Sequence, residues 1–233
     1  MAGTLPTFSL IRQRYQYLRG ETDYTTTDAV NDSNINAAVR DVCDEYPFSF
    51  TLAKTTGSIS SNTFNLAGDY NSRWHLPDAR VVVTGGGNDY IFTEIPVHER
   101  DKYSAGDYVY WITLDTSNNV YVFNTLETSG TVTYYYHFIP NTMTASTDGA
   151  AQAIYCVVPD AELIANWALA RNWVGDERNT ALKADTEREA IRRLERLKNA
   201  DMAFGPIYAE SSIVSMNPNI SNRVSDSGLK ISQ

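Results

Sequence analysis

The feature that most constrains this chain is a change of apolar period that happens twice. Ile35, Ala38, Val39, Val42, Cys43 and Tyr46 recur at the spacing of one helix face. After Pro47 that rhythm stops, and short alternating or β-branched runs take over as far as Pro140. From Val158 the helical spacing returns. Stretches of different period build different elements, so the chain is expected to be α+β: a helical framework with an inserted antiparallel β-sandwich or barrel. The expected divisions are an N-terminal helical segment (1–47), the β-module (48–140), a C-terminal antiparallel helical hairpin (141–203) and an extended arm (204–233).

Two helices are expected in the first segment. Leu10, Ile11, Tyr15 and Leu18 fit a short helix that Gly20 stops. Residues 21–31, rich in Thr and Asp, read as a loop; Asp32 or Ser33 then caps the second helix and Pro47 ends it. In the hairpin, Val158-Pro159-Asp160 suits a helix start, with Pro at the first helical position and Asp160 and Glu162 at the positive end of the dipole. Leu163, Ile164, Trp167, Ala170, Trp173 and Val174 are apolar nearly all round, which predicts a buried helix closed by Gly175. A short turn leads to a second helix through Ala203. Its apolar positions are Leu182, Ile191, Leu194 and Leu197, and its other face is dense in charge.

In the β-module, residues 48–53, 58–66, 79–84 and 89–95 read as strands. Tyr108–Leu114, Val120–Asn124 and Thr131–Ile139 read as a meander of three consecutive antiparallel strands. Fifteen tyrosines and an aromatic share of 12% fit pleated surfaces, where rings pack well.

The arm has no helical period and holds seven serines and three asparagines. Yet Ile207, Tyr208, Ile213, Val214 and Met216 run through its first half. Ile220, Val224, Leu229 and Ile231 follow in its second. These are too scattered for a core and too many for a solvated tail, so they are the expected docking residues. Extended at about 3.3 Å per residue, 205–233 reaches roughly 95 Å, enough to meet another subunit.

Other motifs reduce to structure. Gly85-Gly86-Gly87 after Val81-Val82-Val83 lacks the Lys-Ser/Thr and helix of a phosphate loop and reads as a hairpin turn. His75, His98 and His137 show no ligand spacing. Asp69, Asp78, Asp89, Glu94, Glu99, Asp101, Asp107 and Asp115 sit near turns, where Asp bonds local backbone. Alternation along Tyr134-Tyr135-Tyr136 sends at least half of such rings into the core. Arg188, Arg192, Arg193 and Arg196 are interleaved with Glu187, Glu189 and Glu195, an ion-pair face. Cys43 and Cys156 have no C-x-x-C spacing and are expected to be reduced thiols. The net charge of −9 argues against a protein that grips nucleic acid. No signal peptide and no run of about eighteen apolar residues is seen, so no membrane is expected. No catalytic constellation, metal or cofactor is expected either.

Several segments together resemble the head-to-tail adaptor, or neck, proteins of tailed bacteriophages. They are Ile35–Arg40 running into Glu45–Phe50, Leu76–Arg80, Tyr110-Trp111-Ile112, Tyr134–Pro140, Val158-Pro159-Asp160, Trp173, and Asp176-Glu177-Arg178 with the charged last helix. The resemblance spans roughly residues 8–203. It implies a ring, commonly a dodecamer, under the portal protein, with DNA passing through the lumen without specific binding. The other implied partners are tail, stopper or nozzle proteins, the implied anchor to the portal is the C-terminal arm, and the implied place is the virion neck after synthesis in the host cytoplasm. Two other readings remain at this stage. One is another neck protein such as a stopper; the other is a β-sandwich that binds or cleaves glycans through Trp111, Tyr135 and turn carboxylates.

Overall fold

The structure, a computed structural model, describes residues 5–21, 29–76, 81–144, 155–171 and 180–203. Helices α1 (Phe8–Leu18) and α2 (Ala29–Glu45) come first. Eight described strands follow: β1 (Leu52–Ser58), β2 (Thr63–Asn65), β3 (Val81–Gly85), β4 (Asn88–Ile91), β5 (Thr93–Glu94), β6 (Val109–Asp115), β7 (Val120–Thr125) and β8 (Thr131–His137). Helices α3 (Ala161–Arg171) and α4 (Thr180–Ala203) close the described chain. The fold is α+β.

Helix α1 starts where the Thr7 hydroxyl accepts the Leu10 N–H at 3.2 Å. It stops at Gly20, whose φ of +75° suits a residue without a β-carbon. Helix α2 begins earlier than the sequence suggests, at Ala29, so Asp32 lies in its first turn and is not its cap. There the carboxylate accepts two bonds from the Arg12 guanidinium, at 2.8 and 2.7 Å, and ties α2 to α1. At α3 the cap is Asp160, which accepts the Leu163 N–H at 2.9 Å; Pro159 therefore precedes the helix and does not open it. Trp173 to Gly175, Asp176-Glu177-Arg178 and residues 77–80 lie outside the described residues.

The strands form two four-stranded sheets, ordered β1-β8-β3-β4 and β2-β7-β6-β5. Inward side chains of both meet in one core, including Val83, Phe92, Tyr110, Phe123, Val132 and Tyr134. Gly86 and Gly87, at φ of 60° and 84°, form the two-residue turn between β3 and β4. The meander reading holds for β6 and β7, which pair antiparallel. It fails for β8, which leaves β7 and pairs with β1 and β3 in the other sheet. The crossing needs Gly130: at φ 142° it passes so close to β3 that a β-carbon would sit 2.7 Å from Val83 Cγ1. Strand β5 is a second departure, since it pairs parallel with β6. The 48–53 run also resolves differently, into a short 3-10 turn (Ser49–Thr51) ahead of β1.

A second apolar cluster joins α1, α2 and α3 with Phe48, Met143, Val158 and Leu194 of α4. The chain passes between the two clusters twice, near residues 48–51 and 138–144. The β1–β8 ladder reaches only as far as the Phe138 N–H to Thr51 carbonyl bond, so buried backbone beyond it needs other partners. Asn36 provides them at the second passage: its amide donates to the Met143 carbonyl at 2.8 Å and its carbonyl accepts the Met143 N–H at 2.7 Å. Replacing Asn36 with Ala orphans both groups. Urea unfolding should register a loss of about 3 kcal/mol, since each buried unsatisfied group costs about 1–3 kcal/mol.

Candidate functional site

The expected docking residues Ile207, Tyr208, Ile213, Val214, Met216, Ile220, Val224, Leu229 and Ile231 lie outside the described residues. The root of the arm is described. In the last turn of α4 the Asp201 carboxylate accepts the Ser49 N–H at 3.1 Å and the Ser49 hydroxyl at 2.5 Å. Beside it, the Thr51 hydroxyl lies 2.8 Å from the Phe48 carbonyl and 2.7 Å from His137 Nδ1. Phe48 is fully buried, edge-on to Tyr46 and stacked on Phe50 at 4.8 Å. The last turn of α4 therefore sits at the junction of the two cores.

The hairpin presents a second surface. Helices α3 and α4 run antiparallel, with Asp160 near Arg193 at one end and Trp167 and Ala170 near Glu187 and Ala190 at the other. The face that α4 buries is Thr186, Ala190 and Leu194, with Leu197 partly covered. Two residues expected on that face are instead exposed, Leu182 at 50% and Ile191 at 56%. Small side chains at 186 and 190 let α4 approach the alanines of α3, which turns Ile191 outward. Ile191 borders a cleft of about 340 Å³ lined by Asp41, Trp167, Ala170, Arg171, Glu187 and Ala190. On the α1 side of the hairpin a wider cleft of about 520 Å³ lies among Leu10, Arg14, Pro159, Arg196, Leu197 and Ala200.

Charges on α4 are largely matched. Glu189 accepts from Arg193 at 2.8 Å and also pairs with Arg192; Arg188 pairs with Asp185 at 3.0 Å. Partial burial opposes the charge of Arg193, but Asp160 and Glu189 outweigh it and raise its pKa. Exposed pairs of this kind contribute roughly 0–1 kcal/mol each, so they shape the surface more than they stabilise the helix.

His75 is not isolated in space: its Nε2 lies 2.5 Å from Glu94, and its Nδ1 lies 2.7 Å from the Tyr70 hydroxyl and 3.1 Å from that of Tyr134. A carboxylate can only accept, so Nε2 carries the proton and Nδ1 faces the tyrosines. Those rings belong to the sandwich core, and burial pushes the Tyr70 hydroxyl up to about 12. The relay thus pins the 71–76 segment to β5 and β8. The spacing does not mark it, because only the Tyr70–His75 contact is local while Glu94 and Tyr134 lie 19 and 59 residues from His75. Tyr134 and Tyr136 are core residues, while Tyr135 faces outward with the Lys54 ammonium 5.9 Å from its ring centre. Both cysteines are free and buried, and burial raises both thiols, Cys156 to about 11, so neither is a thiolate near neutral pH. Among the described residues no cluster of His, Cys, Asp or Glu has the makings of a metal site, and no helix is long and apolar enough to cross a membrane.

The profile of the SU10 adaptor protein family matches residues 6–209. The chain belongs to the SU10 adaptor protein family. Membership makes it a phage adaptor, a structural component of the virion that contacts other head and tail proteins. No curated protein matches the sequence. The match takes in both described surfaces of the adaptor and the first residues of its arm.

His137 gives the junction a pH dependence. Burial holds its pKa below the ordinary 6.5, against opposing pulls from Asp201 and the Phe48 backbone. As pH falls through 6.5 the unfolded adaptor takes up a proton that the folded one resists, so stability declines on acidification and the term is absent above that pH. Urea midpoints should drop between pH 7 and 5.5, and His137→Gln should flatten that slope.

Proposed function

We propose that this adaptor assembles as a dodecameric ring beneath the portal protein, joins it to the tail, stopper or nozzle proteins, and lines the channel through which DNA is ejected. Residues 1–47 and 141–203 act as the ring framework, 48–140 as a protruding module, and 204–233 as the portal anchor. It is made in the host cytoplasm and ends in the virion neck. The observation that carries this reading is the hairpin surface: an exposed Ile191 beside a cleft on the α2 side, and a differently lined cleft on the α1 side. A ring repeats one contact between two non-identical surfaces, and unlike faces on one subunit fit that need. A net charge of −9 suits a lumen that lets DNA slide without holding it.

Two experiments test the proposal. Deleting 205–233 should leave a folded adaptor that no longer co-sediments with portal; undiminished binding overturns the arm's role. Ile191→Arg should preserve the monomer's circular dichroism and melting temperature but abolish rings on the portal, as read by native mass spectrometry. Rings of unchanged mass and yield would remove this face from the interface.

A further inference from the structure

The longest edge strand of the sandwich is open. β1 pairs with β8 and, among the described residues, with no other strand. The Phe138 N–H donates to the Thr51 carbonyl at 2.9 Å and the Ile59 N–H to the Gly130 carbonyl at 2.8 Å. In an antiparallel register that runs Ala53↔Tyr136, Thr55↔Tyr134 and Gly57↔Val132, this parity commits the odd-numbered backbone groups to β8. The amides and carbonyls of Lys54, Thr56 and Ser58 therefore point away from the sheet, and all three residues are exposed. Such an edge is a template for another strand unless something guards it.

The chain has a strand to offer. Asp201 fastens the last turn of α4 to Ser49, so the arm sets out only a few residues before β1 begins. Within the arm, Ser211-Ser212-Ile213-Val214-Ser215-Met216 is a short run centred on two β-branched residues and bounded by Pro206 and Pro218. The stretch 204–210 can span roughly 23 Å at about 3.3 Å per residue, which matches the length of β1. A tether that short raises the effective concentration of the strand to the millimolar range.

We propose that residues 211–216 of the chain's own arm add to the β1 edge in the free adaptor, so that the sheet stores the arm until the portal captures it. Release onto the portal rests on the anchoring role proposed above. Strand addition itself is tested on the adaptor alone, so the two ideas fail separately. Amide hydrogen exchange is compared between the full-length protein and the full-length Ile213→Pro/Val214→Pro variant, without portal. The Lys54, Thr56 and Ser58 amides should exchange at least about tenfold slower in the unmodified protein, whereas Thr55 and Gly57, bonded to β8, should match in both and report an intact sheet. Equal rates at 54, 56 and 58 overturn the proposal. Protection should also survive dilution; protection that fades on dilution assigns the strand to a second copy and overturns storage by the same chain.

Discussion

Everything in this molecule depends on carrying polar backbone between two apolar clusters. One cluster belongs to the helices and the other to the sandwich, and the chain crosses at residues 48–51 and again at 138–144. The ladder satisfies only part of each crossing, and each group orphaned there would cost about 1–3 kcal/mol. The solution is side chains from the far element. Asn36 of α2 serves Met143 and Asp201 of α4 serves Ser49. Phe48 fills the remaining space between them. Because Asp201 lies in the last turn of α4, the same set of bonds fixes the end of that helix. The root of the arm, the orientation of α4 and the seating of the sandwich are consequences of one packing problem.

That coupling bears on how an adaptor subunit behaves. A hairpin anchored at one end to the β-module cannot tilt without disturbing the Ser49 contact, so its two clefts keep a constant relation to the sandwich. A ring of repeated contacts needs that constancy, because a small angular error per subunit accumulates around the axis and prevents closure. The His75 relay serves the same end inside the module. It ties the 71–76 segment to both sheets at once, through Glu94 on one side and Tyr134 on the other.

How much of this is legible in the sequence depends on the range of the interaction that decides each feature. The α2 stripe and the Gly86-Gly87 turn are set by local geometry, and the spacing of residues reveals them. The start of α2 is hidden because Asp32, a good cap by type, has a stronger use as the partner of Arg12 twenty residues away. The departure of β8 is hidden because a meander pattern records where strands are but not which sheet receives them; only the close pass at Gly130 decides that. On α4 the large residues mislead. Leu182 and Ile191 suggest the buried stripe, whereas close approach to α3 selects Thr186 and Ala190. The His75 relay is hidden because Glu94 and Tyr134 are distant in sequence, and the expected docking residues fall in 204–233, beyond the described residues.

In the proposed ring a subunit must also remain separate until its partner is present, and the charge pattern of α4 is suited to that. Its acids and bases pair within the helix, Asp185 with Arg188 and Glu189 with both Arg192 and Arg193, so the face is close to neutral locally while the chain as a whole carries −9. Copies therefore repel weakly at distances up to the screening length of about 8 Å at physiological ionic strength. Inside that distance Ile191 and the largely apolar cleft beside it, which also holds the Asp41–Arg171 pair, can meet a neighbour. One exposed isoleucine is too small a patch to drive association in dilute solution. The same contact repeated around a template becomes strong, because each added subunit is held at high effective concentration by those already seated. Weak, self-satisfied surfaces on a rigid hairpin are thus what the proposed template-directed assembly requires.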